Sequence, residues 1–286
     1  MTAADRLRAR LAAGGIVSAP GAPDALAARL IERAGFEAIY MTGFGATASR
    51  LGRPDIGLLT QTEMTTHARD MVRAVTIPVI ADADTGYGGP ANIARTMEEY
   101  AQAGVAAVHL EDQVAPKRCG QLAGIRLIDA NEAARRLRCA IASRPADGPL
   151  VIGRTDAMPA IGAAEAVRRA LMYQDAGVDL VFVDGIKHIK EVEIVARQVP
   201  GPKVVSIVDG NETTALTAKA LEEMGFAVVL YAVTALFSAA RAMADALATL
   251  KRDGTPAAAA GAMMTYGDFS TLVDLPRFQK LDEDYG

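Results

Sequence analysis

The feature that most constrains this chain is an alternation that repeats eight times. Short apolar runs fall at Ile16–Ala19, Ala38–Thr42, Val79–Asp84, Ala106–Glu111, Leu150–Arg154, Leu180–Asp184, Val204–Ile207 and Ala227–Tyr231. Helical patterns lie between them, at Ala22–Ala34, Thr62–Ala74, Ala91–Ala103, Asn131–Ser143, Ala163–Ala176, Ile189–Val199 and Thr213–Met224, with an opening helix at about residues 3–13. Several close on glycine, as in Ala-Gly-Phe, Ala-Gly-Val and Met-Gly-Phe. Strands apolar on both faces, each followed by a helix, predict an α/β fold of the (β/α)₈ TIM-barrel class. The rival is a doubly wound sheet; it is weakened because no Gly-x-Gly-x-x-Gly turn follows the first strand.

One domain over residues 1–286 is expected, with the barrel over about 14–250 and a helical extension over about 251–286. That size is ordinary for this fold. The tail carries Tyr266, Phe269, Leu272, Leu275 and Phe278, too apolar for a free solvated segment, so it is expected to pack on the barrel or on a neighbouring subunit. Net charge of −4 and 22% charged residues give no polyanion-binding surface, so nucleic acid is not an expected partner. No apolar run reaches the ~18 residues of a membrane span, and the first residues lack a signal-peptide core. Cys119 and Cys139 are too few and too isolated for a disulfide framework or a zinc site. A cytoplasmic protein is expected.

The chemistry concentrates between Ile77 and Gln121. Two strand-length runs there end in carboxylates and pass straight into loops rich in glycine, proline or charge. In parallel β/α folds, function collects at such strand ends. Alternation puts Asp82 and Asp84 on one face, roughly 7 Å apart, with Ile80 behind them. The same rule sets His109 and Glu111 together and turns Val108 and Leu110 toward the helices. Carboxylates without His or Cys partners suit a hard cation such as Mg²⁺, or Mn²⁺. The competing interpretation is that these acids cap helices or pair with Arg and Lys at the rim.

The loop Pro116-Lys117-Arg118-Cys119-Gly120-Gln121 follows directly. Its flanking cations predict a lowered pKa for the Cys119 thiol and a role in proton transfer. Gly120 would let the loop bend over a ligand. The alternatives here are a solvated basic face and a small apolar filler. His67 and His188 read as surface or helix residues, and His109 either as a core hydrogen-bonding residue or as support for Glu111.

In order and spacing, Asp-Ala-Asp-Thr-Gly-Tyr-Gly, Glu-Asp-Gln and Lys-Arg-Cys-Gly resemble the isocitrate lyase/phosphoenolpyruvate mutase superfamily. The closer likeness is to its small-subunit branch of methylisocitrate and dimethylmalate lyases, oxaloacetate hydrolases and carboxyphosphonoenolpyruvate mutases. It runs from Met41-Thr42-Gly43, through Ser49–Gly52, Pro54-Asp55 and Gly153-Arg154-Thr155-Asp156, to the last strand. The resemblance implies a barrel whose last helix is exchanged between subunits of a homotetramer, binding Mg²⁺ and a 2-oxo or enolate-type acid. It implies Asp82 as the metal carboxylate, with Asp55, Asp84 and Glu111 holding metal-bound waters. Tyr40 to Gly45, especially Thr42, Gly43 and Phe44, matches the segment whose amides hold the substrate carboxylate and oxyanion, and Arg154 matches the arginine that binds that carboxylate. Lys117 to Gln121 matches a mobile gate loop whose Cys protonates the product.

Three positions depart from the methylisocitrate lyase pattern: Gln121 replaces His, Asp184 replaces Glu, and Ser206 replaces Asn, with Asp209 and Asn211 close behind. All three belong where the far end of the substrate would sit. A metal half kept beside a specificity half rewritten implies a substrate other than methylisocitrate. The expectation is a Mg²⁺-dependent carbon–carbon lyase that cleaves a small 2-hydroxy di- or tricarboxylate in retro-aldol fashion and releases a 2-oxo acid such as pyruvate. Alternatives are an oxaloacetate decarboxylase or hydrolase, a carboxyphosphonoenolpyruvate phosphonomutase, and a non-catalytic binding or sensing barrel.

Overall fold

The structure, a computed structural model, describes residues 1–286. Cα packing separates Met1–Thr234 from Ala235–Gly286. The first unit carries eight strands: β1 (Val17–Ala22), β2 (Ile39–Met41), β3 (Val79–Asp82), β4 (Ala107–Glu111), β5 (Leu150–Thr155), β6 (Leu180–Val183), β7 (Lys203–Ile207) and β8 (Val228–Tyr231). Each pairs in parallel with the next, and β8 returns to β1 in register Val17↔Val228, closing the barrel. The helices are α1 (Ala3–Ala12), α2 (Ala25–Arg33), α3 (Gly43–Leu51), α4 (Gln61–Ala74), α5 (Pro90–Ala103), α6 (Ala130–Ser143), α7 (Ala157–Ala160), α8 (Ala163–Asp175), α9 (Ile189–Gln198) and α10 (Ala218–Glu223).

Alternation along the strands builds two apolar layers. Ile80, Ile152, Phe182 and Leu230 point inward, while Val79, Val108, Val151 and Val229 pack outward among the helices. Each such side chain taken from water contributes about 1.5–3 kcal/mol, which makes the one-residue register of every strand costly to shift. Helix α1 belongs to the inner layer, because Ala4 and Leu7 join the interior cluster. Arg6 donates to Thr76 O at 3.0 Å and Arg8 to Gly148 O at 2.7 Å, both in loops that lead into strands. The helix therefore seals the end of the barrel where the strands begin.

Local chemistry moved several boundaries. The run from Ala22 reads as helix, yet β1 continues through Ala22 and α2 starts at Ala25, since the Asp24 side chain accepts from Ala27 N at 2.8 Å and caps the helix there. The segment Thr213–Met224 is a 3₁₀ turn at Glu212–Ala215 and then α10, capped by Thr217. Strand β3 stops at Asp82, and Asp84 lies in the left-handed region with φ of 46°. Strict alternation therefore does not place Asp84, although its side chain still turns to the same rim.

Helix α11 (Thr234–Asp253) belongs to the second unit from Ala235 on, followed there by a 3₁₀ turn at Ala257–Ala262, α12 (Tyr266–Leu272) and α13 (Leu275–Tyr285), with α12 packed on α13. Met243 and Leu247 of α11 are 59% and 63% exposed in the single chain. No helix is long and apolar enough to cross a membrane.

Candidate active site

Where the strands end, Lys117 is the hub. It is buried, and its Nζ lies 2.8 Å from Asp55 Oδ1 and Oδ2, 2.8 Å from Asp84 Oδ1 and 4.0 Å from Asp82 Oδ2. Burial opposes the charge on the lysine, but Asp84, Asp82 and Asp55 outweigh it and hold its pKa well above the usual value. Burial pushes Asp84 up to about 6, with Lys117 pulling the other way. Burial also works against ionised Asp82, yet His109, Lys117 and Arg154 keep its carboxyl below the usual carboxylate range.

Asp82 is held from two further directions. Its Oδ1 accepts from Asp84 N at 2.9 Å, and its Oδ2 accepts from Gly43 N at 3.2 Å. Gly43 opens α3, so the carboxylate sits at a helix N-terminus whose amides and dipole favour negative charge. A Cβ at Gly43 would collide with the Asp82 carboxylate, so only glycine permits this approach. Thr42 caps the same helix through Gly45 N.

The second hub is Arg154, 5% exposed on β5. It donates to Asp156 through Nε at 3.2 Å and Nη2 at 2.8 Å, and pairs with Asp184 at 2.6 Å and Glu111 at 3.3 Å. The Phe182 ring lies 5.5 Å from its guanidinium carbon. The fork that resemblance reserves for a substrate carboxylate is thus engaged by Asp156, and these pairings use Nε and Nη2, leaving Nη1 for a ligand. Burial raises the Glu111 pKa well above the usual carboxylate value and raises that of Asp184 as well.

Between the hubs lies His109, fully buried, with Nε2 2.9 Å from Tyr40 OH and Nδ1 3.6 Å from Asp82 Oδ1. Burial lowers its pKa to about 4, so the ring is neutral near pH 7. Of the two roles expected for it, the hydrogen bond to Tyr40 fits the core hydrogen-bonding one, and the ring faces Asp82 and not Glu111.

The loop after β4 supplies the first hub, Lys117, and lies on the second. Gln113 clamps it, accepting from Arg118 N at 2.9 Å and donating to Arg118 O at 2.8 Å, while Cys119 N donates to Asp55 O at 3.1 Å. A Cβ at Gly120 would fall 2.6 Å from Asp184 Oδ2 and 2.8 Å from Asp156 Oδ1, so the loop lies directly on the Arg154 cluster. Gln121 Oε1 accepts from Asn211 Nδ2 at 3.1 Å, tying the loop to the segment beyond β7. Ser206 is buried on the inward face of β7.

A match to the family described as phosphoenolpyruvate phosphomutase covers residues 7–251. The chain belongs to the phosphoenolpyruvate phosphomutase family. It is 39% identical to the 2,3-dimethylmalate lyase of Eubacterium barkeri over 100% of this chain and 99% of that one. With the 2-methylisocitrate lyase of Halalkalibacterium halodurans it shares 37% identity over 98% and 93% of the two chains. The solved structure of a phosphonopyruvate hydrolase in complex with oxalate and Mg²⁺ superposes with a TM-score of 0.90 at 29% identity, covering 100% of this chain and 99% of that one.

In this member of the phosphomutase family, the Cys119 thiol is not acidified by its neighbours. Burial pushes it up to about 11, and Asp184 and Asp55 push the same way, while only the Gln121 amide and Arg154 oppose. Lys117 spends its charge on three aspartates, and Arg118 turns outward to Ala123 O at 3.4 Å. The thiol is therefore protonated at neutral pH, a donor and not a standing nucleophile. In a Cys139→Ser background, alkylation of Cys119 by iodoacetamide should show a pH midpoint near 11, with a rate at pH 8 about 100-fold below that of an unperturbed thiol. A midpoint below 9 would return the loop cations to control of the thiol.

Six carboxylates, Asp55, Asp82, Asp84, Glu111, Asp156 and Asp184, face two cations, Lys117 and Arg154, with His109 neutral. Asp84 Oδ1 and both Glu111 oxygens are buried without a hydrogen bond; their nearest cations are within ion-pair reach but off the line of a bond. No three acids close on a single point as they stand, with the Lys117 ammonium among them. Excess buried negative charge and orphaned hard oxygens fit a hard divalent ion with retained waters.

Sequence reasoning passed over Asp112 and Asp156. Asp112, the residue after β4, is buried and accepts from Thr155 Oγ1 at 2.7 Å, Asp156 N at 3.0 Å, Arg169 Nη1 at 3.0 Å and Tyr173 OH at 2.6 Å. The available signal was Asp112 itself, a second carboxylate directly after Glu111 in a strand end too dry to leave it unpaired. Of the histidines read as surface or helix residues, His67 sits on α4 but is buried, with Nε2 2.9 Å from Pro23 O. His188 is exposed and pairs with Glu212.

Proposed function

We propose that the chain is a Mg²⁺-dependent carbon–carbon lyase that cleaves a small 2-hydroxy di- or tricarboxylate of the dimethylmalate or methylisocitrate type and releases a 2-oxo acid such as pyruvate. The observation that carries this reading is the position of Cys119, in a loop that lies on the Arg154 cluster through Gly120 and is bonded to Asp55 through Cys119 N, where burial raises the pKa of the thiol and favours the form that can donate a proton. A lyase must return a proton to the carbon that leaves, whereas loss of CO₂ from oxaloacetate gives a pyruvate enolate that can take its proton from water.

Asp82, Asp84, Glu111 and Asp55 would hold Mg²⁺, which when bound supplies positive charge beside the oxygens on which negative charge collects. Arg154 orients the substrate carboxylate through Nη1 while Asp156 and Asp184 fix its plane. The first turn of α3, from Thr42 and Gly43 through Phe44, offers backbone N–H groups to the same carboxylate. Tyr40 and His109 form the floor. The loop from Lys117 to Gln121 excludes water; as the C–C bond breaks, the 2-hydroxyl proton passes to a carboxylate of the Asp55, Asp82 and Asp84 group, Cys119 donates its proton to the carbanion, and solvent restores the thiol after release. Gln121, Asp184 and Ser206 border the substrate's far end, and their shapes support a substrate other than methylisocitrate.

The exposed apolar side chains of α11 support its exchange with a neighbouring subunit in a homotetramer, and free Cys119 and Cys139 are in keeping with the cytoplasm. The deciding experiment incubates the protein with Mg²⁺ and a panel of 2-hydroxy di- and tricarboxylates while lactate dehydrogenase reports pyruvate. Pyruvate from at least one is expected. Silence across the panel with turnover of oxaloacetate would replace the lyase by a decarboxylase.

A further inference from the structure

We propose that Asp112, facing away from the barrel interior, is a positioning residue that fixes the Arg154 guanidinium through Asp156. The proposal rests on the reading of Arg154 as the holder of the substrate carboxylate.

The bonds form a continuous chain from the outer helix layer to the site. On α8, Glu165 accepts from Arg169 Nε at 2.8 Å, and Arg169 Nη2 donates to Ile128 O at 3.0 Å, so the guanidinium is anchored before it meets Asp112. Arg169 Nη1, Tyr173 OH and Thr155 Oγ1 then converge on Asp112 Oδ2. The other oxygen, Oδ1, accepts the backbone N–H of Asp156. That bond fixes the point from which the Asp156 side chain leaves, and Asp156 in turn grips both Nε and Nη2 of Arg154.

A carboxylate 2% exposed is heavily desolvated, and the four donors compensate it. An amide here would turn its NH₂ either to the donors Arg169 Nη1, Tyr173 OH and Thr155 Oγ1 or to the Asp156 N–H, so the turn needs both carboxylate oxygens. Arg169 brings a guanidinium and Tyr173 an O–H to the same carboxylate oxygen, so Asp112 ties α8 to the strand end. Geometry at a binding arginine tolerates little error, and partners of the groups that touch ligand commonly control affinity about tenfold or more when removed.

The test measures the dissociation constant of oxalate in the presence of Mg²⁺ by calorimetry, alongside thermal melting. Asp112→Asn should weaken oxalate about tenfold, and Tyr173→Phe, which removes one of the four donors, should weaken it a few-fold. Val151→Ala, a cavity on the helix-facing side of the same strand, should lower the melting temperature and leave oxalate affinity unchanged. Wild-type affinity in folded Asp112→Asn and Tyr173→Phe, with Arg154→Lys weakened, would overturn the positioning role alone. Wild-type affinity in Arg154→Lys would remove the carboxylate-holder reading and the proposal with it. Should Asp112→Asn fail to fold, Tyr173→Phe and Thr155→Val decide by the same measurement.

Discussion

Replacing Cys119 by serine is expected to lower turnover of the 2-hydroxy acid substrate by about 10³-fold, within the range that a general acid supplies. The serine hydroxyl is nearly the same size, so the Cys119 N to Asp55 O bond and the seat of Gly120 against Asp184 should persist. What is lost is acidity. The variant should therefore bind oxalate and Mg²⁺ as the wild type does, and the loss should fall on kcat and not on KM. Any oxaloacetate decarboxylation by the same protein should survive, because the pyruvate enolate left by loss of CO₂ can take its proton from water. Lyase turnover within threefold of wild type would exclude the thiol from the chemistry.

Asp82→Asn should be equally severe. The amide preserves shape but removes the one carboxylate that Gly43, Asp84, His109 and Lys117 all converge upon. Its NH₂ would also meet a donor N–H, at Asp84 N or Gly43 N, whichever way the group turns. We expect kcat/KM to fall by about 10³-fold or more, and oxalate affinity to lose its dependence on Mg²⁺ in a titration of the metal. A variant that keeps a Mg²⁺-dependent oxalate affinity would dismiss Asp82 as a metal carboxylate.

Much of this site was readable because a strand's alternation is rigid. Asp82, Glu111 and Arg154 stand on β3, β4 and β5 at positions whose inward direction follows from the buried residues two places earlier, Ile80, His109 and Ile152. Glu-Asp-Gln shows where legibility stops. Glu111 points inward, Asp112 outward to partners 57 and 61 residues further on, and Gln113 back onto Arg118. Nothing in the tripeptide announces Arg169 or Tyr173, since long-range partners on a helix carry no local spacing.

The acidity of Cys119 failed to follow from sequence for a related reason. Adjacent cations matter only if their side chains stay adjacent, and Lys117 is drawn away by Asp55 and Asp84, leaving burial to decide. The left-handed Asp84 was equally invisible, because a strand pattern says nothing of the residue that breaks it.

Helix α1, which closes the end of the barrel where the strands begin, gives the molecule a polarity useful at the bench. A tether or affinity tag joined ahead of Met1 leaves from the face opposite the catalytic mouth. An enzyme immobilised by that end would therefore turn its entrance to the solution, and substrate would reach Cys119 and Arg154 without crossing the support.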